Sequence, residues 1–196
     1  MSAVAGTQLW VGLGNPGPQH ALNRHNVGFM AVDTIADVHG FGPVQKKFSG
    51  WLQEGRIGAA KVLLLKPATF MNESGRAVNE AMRFYKLPLE ALTVFHDELD
   101  LAPMKVKVRI GGGLAGHNGL RSIDRTWGPE FRRVRLGIGH PGHKDRVLGW
   151  VLGNYAKAEQ DDLAGMLGAV AAEAEWLAKG DDARFMSDVA RRQQED

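Results

Sequence analysis

The chain of 196 residues contains no cysteine. That excludes disulfides, a thiolate nucleophile and cysteine-ligated metals, and it suits a reducing compartment. No apolar run approaches the ~20 residues of a membrane span. Met1–Gln8 has neither the basic start nor the apolar core of a secretory signal. A cytoplasmic protein without a membrane partner is therefore expected. No serine stands in a G-x-S-x-G elbow, so a covalent acyl-enzyme is not expected either. No histidine pair has metal-ligand spacing with a third donor; His140 and His143 only flank the Pro141-Gly142 turn. No metal and no cofactor are expected.

Glycine is abundant, at 25 of 196 residues, about twice the ~7% of an average protein. It clusters at 12/14/17, at 111/112/113/116/119 and at 137/139/142, each time after a strand-like apolar run. Strand ends opening into tight loops around a shared crevice would produce this pattern. Charge is also segregated. Residues 157–196 hold 5 Lys/Arg against 10 Asp/Glu, a net of −5, whereas residues 105–146 hold 10 against 3, a net of +7. A basic body with an acidic C-terminal segment suits a polyanionic partner, nucleic acid first.

The stretch from Val11 to Asn26 organises the rest. Leu9-Trp10-Val11 reads as a strand, and Asn15-Pro16-Gly17-Pro18 can continue neither strand nor helix. Val27, Met30, Ala31, Thr34, Ile35 and Val38 then follow at helical spacing, with Asn23 or Asn26 as the N-cap. This sets His25 at the mouth of a strand-loop-helix unit. Gly12, Gly14 and Gly17 match the G-x-G-x-x-G spacing of dinucleotide loops. Pro16 and Pro18, however, remove N–H groups a pyrophosphate would need and delay the helix.

Further along, Phe48–Ile57 and Lys61–Leu65 read as strands, and a helix carries Ala77, Val78, Ala81, Met82 and Tyr85. Thr93–Phe95 is a short strand leading into His96-Asp97-Glu98. Lys105–Ile110 alternates, so Lys105, Lys107 and Arg109 share a face. Arg132–Ile138 is another strand, with Arg133 and Arg135 on one face. Asn118–Trp127 is a short helix and Lys157–Lys179 one long amphipathic helix ended by Gly180. The class is α/β, a single-domain twisted mixed β-sheet flanked by helices. Residues 1–180 form the domain, and 181–196 are a C-terminal helix or tail of it. A monomer is expected, since no long exposed apolar stripe stands out.

Asn15, His25, Asn72, Asp97, His117 and Asn118 all fall after strands or at helix starts. Together they suggest a site with one imidazole, one carboxylate and several carboxamides; His96, His140 and His143 read as solvent-facing. A neutral imidazole can take a proton from water, a carboxylate can fix its tautomer, and carboxamides can hold an oxyanion. Attack of water on an acyl ester is the chemistry this set supports.

Leu13-Gly14-Asn15-Pro16-Gly17, Arg24-His25-Asn26, Thr69-Phe70-Met71-Asn72, His96–Asp100, Gly116–Leu120 and Gly137–Gly142 resemble the ordered signature blocks of bacterial peptidyl-tRNA hydrolases, over about residues 8 to 180. The resemblance implies that His25 is the general base, that Asp97 orients it, and that Asn15 discriminates N-blocked esters. It implies that Asn72 and Asn118 position substrate and water, and that Phe70 and Met71 line the same crevice. Lys107, Arg109, Arg135 and Lys144 would hold tRNA phosphates, without reading sequence. The substrate implied is peptidyl-tRNA, cleaved at the ester to the 3′-terminal ribose. The chain departs from the family where His20 replaces a tyrosine that contacts substrate, and where Leu114-Ala115 replaces His-Gly. The alternative is a non-catalytic RNA-binding protein of the same fold.

Overall fold

The structure is a computed structural model that describes residues 6–195. In chain order, the larger elements are β1 (Thr7–Gly12), α1 (Val27–Val38), β2 (Gln45–Lys47), β3 (Gly50–Ile57), β4 (Ala60–Pro67), α2 (Ser74–Phe84) and β5 (Leu92–Glu98). There follow β6 (Val106–Ile110), α3 (Asn118–Trp127), β7 (Arg132–Gly137), α4 (Val147–Val151), α5 (Gln160–Ala172), α6 (Ala174–Ala178) and α7 (Asp182–Glu195). The strands form one sheet in the order β2-β3-β4-β1-β5-β7-β6. Its centre, β4-β1-β5-β7, is parallel. Antiparallel β3 and β2 extend one flank and antiparallel β6 the other.

The central strands are covered on both faces, which is why they read as continuous apolar runs. Trp10, Phe95 and Val134 point to the face packed by α1, α5 and α7. Leu9, Val11 and Val94 point to the face packed by α2 and α3. From β1 the chain builds β4 on one side, then crosses to β5 on the other. The loops leaving β1 and β5 therefore diverge and open a crevice at their C-terminal ends.

Two glycines let α1 start against that crevice. A Cβ on Gly12 would lie 2.3 Å from the Gly28 carbonyl oxygen, and one on Gly28 would lie 2.3 Å from that of Phe95. Any side chain at either position would push the first turn of α1, and His25 before it, away from the strand ends.

The expected bounds of α1 and α3 match the observed ones. Other expectations need correction. β2 went unread because its three residues are polar and exposed on an edge. The long helix over 157–179 is broken into a short 3-10 turn, α5 and α6. At Glu173 the backbone leaves helical geometry (φ −99°, ψ 8°), and its buried carboxylate takes the Arg192 guanidinium at 2.5 Å. Residues 182–195 form a helix whose Phe185 and Val189 enter the main core.

Candidate active site

Asp97 is the centre of the crevice. It lies near the end of β5 and is almost wholly buried, with each carboxylate oxygen taking one imidazole. His25 Nδ1 donates to Oδ2 at 2.8 Å and His117 Nε2 donates to Oδ1 at 2.7 Å. His117 is the N-cap of α3, and its Nδ1 accepts from the backbone N–H groups of Gly119 and Leu120. Those donors fix the His117 tautomer with the proton on Nε2, aimed at Asp97. His117, one of the polar residues that the sequence marks at helix starts, thus joins the site as a second imidazole beside the one expected. A third imidazole, His96, is buried rather than solvent-facing; its Nδ1 donates to the Asp97 backbone carbonyl at 2.8 Å.

These contacts set the electrostatics. Burial alone would lower the His25 pKa, but the charge of Asp97 and their hydrogen bond outweigh it and raise the value above 6.5. Burial would raise Asp97, yet His25 and His117 together hold it well below the usual carboxylate range. His96 has no such partner, and burial pushes it down to about 3. His25 therefore faces an always-ionised carboxylate through Nδ1. Its Nε2 takes no partner among the described residues, and the ring lines a cleft of about 560 Å³.

His25, Asp97 and His117 present ligand atoms within 4.8 Å of one another, a donor set that could in principle hold a metal. The two N···O contacts, at 2.7 and 2.8 Å, are direct hydrogen bonds. They are shorter than the roughly 3.3 Å separating two ligands of one tetrahedral zinc. The trio is thus knitted as a proton-handling network.

Arg24 anchors His25 from behind. Its guanidinium lies 3.6 Å from the centroid of the Trp150 ring, with Glu159 at 3.4 Å. Asn23 pairs with Asn154 as an isolated bridge and donates to its side chain at 2.8 Å. The loop before α1 is so fastened to the segment after α4.

Asn26 does not cap α1 through its side chain. Its carboxamide instead accepts from Asn15 N and donates to Asn15 O, both at 2.9 Å. Asn15 Oδ1 in turn accepts from Met71 N at 2.8 Å, leaving its own Nδ2 without a partner among the described residues. Asn15 thus ties the β1 loop to the loop after β4. Met71 is buried in that loop, Phe70 is 65% exposed, and Asn72 is exposed in a 3-10 turn.

The same cleft brings in Asn118, at the first turn of α3, and Lys144 at its rim, together with Leu114 and Ala115. His20 stands apart, on a 3-10 turn, bonded to Asn23 at 2.8 Å. Lys107 and Arg109 are exposed on β6 and register against Arg135 and Arg133 of β7. The two β7 arginines share a face as expected, but both are partnered within the protein. Arg133 is buried, donating to the carbonyls of Gly113 at 2.7 Å and Pro129 at 2.8 Å. Arg135 is paired with Glu98 at 2.9 Å.

An α/β sheet with an imidazole-carboxylate pair at its crevice, Asn118 on the cleft wall and a flanking cationic strand is an arrangement suited to a hydrolase. The family model described as peptidyl-tRNA hydrolase matches residues 9–196. The chain is 79% identical over 187 residues to the peptidyl-tRNA hydrolase of Novosphingobium aromaticivorans, covering 95% of this chain and 98% of that one. It is 75% identical to that of Erythrobacter litoralis, covering 95% and 99%. The crystal structure of peptidyl-tRNA hydrolase from Acinetobacter baumannii matches with a TM-score of 0.88 and 41% identity, over 96% of this chain and 97% of that one. The chain belongs to the peptidyl-tRNA hydrolase family. Its first glycine loop runs into a 3-10 turn, and α1 begins only at Val27, so no helix N-terminus faces the position a pyrophosphate would need.

Proposed function

We propose that His25 is the general base with which this chain hydrolyses peptidyl-tRNA, cleaving the ester between the peptide's C-terminal carboxyl and the 3′-terminal ribose. The observation that carries this reading is the 2.8 Å bond from His25 Nδ1 to Asp97, which leaves the opposite nitrogen open to the cleft. Nε2 takes a proton from water as the oxygen attacks the ester carbonyl. The imidazolium that forms is stabilised by Asp97, the tetrahedral oxyanion by carboxamide N–H groups of Asn72 and Asn118, and Asn15 discriminates N-blocked esters through the peptide carbonyl beyond the reacting one. Collapse breaks the bond to the ribose oxygen, which leaves with the proton from His25. The products are the peptide carboxylate and tRNA with a free 3′-hydroxyl.

Substrate placement follows from the rest. Phe70 and Met71 border the reacting ester, and His20 offers a ring to a base or ribose at the outer loop. Lys107, Arg109 and Lys144 hold phosphates, with Arg135 adding less because Glu98 already pairs it, which lets many tRNAs bind alike. The enzyme acts in the cytoplasm as a monomer and without metal. No helix among the described residues is long and apolar enough to cross a membrane.

Release of N-acetyl-aminoacyl from tRNA, measured with EDTA present beside unblocked aminoacyl-tRNA, tests this. Rapid release from the blocked ester, lost in His25→Ala with tRNA binding retained, is expected. Release from neither ester, with tRNA still bound, would turn the reading to a non-catalytic RNA-binding protein.

A further inference from the structure

A second cavity, of about 300 Å³, is bordered by Asn15 and shares no lining residue with the cleft of His25 and Asp97. Asn15 and Asn26 line it, and Asn26 is one residue from His25 in the chain. Phe29, Trp51, Met30 and Val44 contribute aromatic and aliphatic surface. Phe29 and Trp51 meet edge to face, with centroids 6.4 Å apart. Lys66 also borders it, but its ammonium is 2.7 Å from Asp33 and lies within 5.8 Å of both rings. The cavity therefore offers no unpaired cation and is ill-suited to a phosphate. It suits an uncharged side chain and the amide that carries it.

The order of the sheet gives a direction. The exposed cations Lys107 and Arg109 lie on β6, at the far β5-β7-β6 side of β1, and Lys144 rims the cleft on that side. Trp51 on β3 and Lys66 on β4 lie on the opposite side. The ester must sit between them, at His25 and Asp97. With the polyanionic end along β6, as in the reading above, the other end of the substrate runs past Asn15 toward β4 and β3, where Trp51 and Lys66 stand.

We propose that this cavity is the subsite for the peptide residue preceding the esterified one, and that it favours a large apolar or aromatic side chain there. The proposal rests on the hydrolytic reading above and adds a specificity to it. Lining surface comes from Trp51 and Val44, with Asn15 Nδ2 available to the peptide carbonyl that passes it.

The test compares kcat/KM for acetyl-Phe-Gly-tRNA and acetyl-Gly-Gly-tRNA. Seating one phenylalanine side chain is expected to favour the first by about tenfold, equivalent to about 1.4 kcal/mol. Trp51→Ala and Val44→Asp are each expected to bring the ratio close to one. Val44 is 55% exposed, so its variant folds even where Trp51→Ala does not. Leu148→Asp, at a 70% exposed residue of the catalytic cleft, is expected to keep the ratio. No preference in the parent, or one that survives both cavity variants, overturns the proposal. A ratio lost only in Leu148→Asp also overturns it, by placing the peptide in the catalytic cleft. Failure to cleave either ester removes the hydrolytic reading itself, and the subsite with it.

Discussion

His117 Nε2 stands 2.7 Å from Asp97 Oδ1, so the carboxylate that serves His25 is shared with a second imidazole. The sharing gives two variants opposite effects on pH dependence. His25 must be neutral to accept a proton, and its pKa is raised above 6.5. Activity should therefore fall as pH drops through that raised value. In Asp97→Asn the raising influence is gone and burial dominates. The acid limb of kcat/KM should move below pH 6.5, with the plateau reduced by about 10²–10⁴. His117→Ala leaves Asp97 with one donor, and the undivided carboxylate should hold the His25 proton more tightly. Its limb should move up. Profiles from pH 5 to 9 decide the matter, and two shifts of the same sign would refute the shared-carboxylate account.

His96 controls stability rather than rate. Its folded pKa is pushed down to about 3 by burial, below the ordinary 6.5. The neutral ring is the one that fits, so its contribution is complete above pH 6.5. It is lost as pH falls from 6.5 toward 3, because the unfolded chain binds the proton first. The slope from this one group is at most about 1.4 kcal/mol per pH unit. Urea unfolding of His96→Gln across that range should show a flatter dependence than the parent. An identical slope would show that the ring is protonated without unfolding.

Arg24 should act through His25. Its buried guanidinium is stacked on Trp150 at 3.6 Å, with Glu159 at 3.4 Å. Arg24→Lys keeps the charge but loses the planar stack. It should lower kcat by about tenfold with KM little changed, since a displaced base costs turnover rather than tRNA contact. Trp150→Leu should do the same, and the double variant should cost little more than either alone. Additive losses in this cycle would separate the two residues. Equal changes in kcat and KM would make Arg24 a binding residue instead.

Much of this was legible because periodicity and position carry it. Alternating or continuous apolar runs marked β1, β4, β5 and β7, and apolar residues at helical spacing marked α1. His25, Asp97 and Asn15 stood out as polar residues where strands end. Contacts between distant segments were not legible. That His117 meets Asp97, and that Asn26 clamps Asn15 instead of capping a helix, depends on which loops the sheet order brings together. Arg133 and Arg135 alternate onto one face as expected, but sequence cannot show that a glycine loop covers the first or that Glu98 occupies the second. The break at Glu173 escaped for the same reason, since its partner Arg192 lies on another helix.

The cationic strands yield the last prediction. Lys107 and Arg109 are exposed on β6, whereas Arg135 is bound to Glu98 at 2.9 Å. An exposed cation that meets a phosphate releases about one counterion. Lys107→Ala and Arg109→Ala should each weaken tRNA binding and reduce the slope of log Kd against log salt by about one. Arg135→Ala should change the slope less, because its charge is already partnered in the free protein. Glu98→Gln should release Arg135 and steepen the slope. Titration of tRNA at several KCl concentrations measures all four. If Arg135→Ala flattens the slope as much as Lys107→Ala does, the Glu98 pairing gives way to phosphate on binding. If neither β6 variant alters it, the tRNA backbone does not run along this edge.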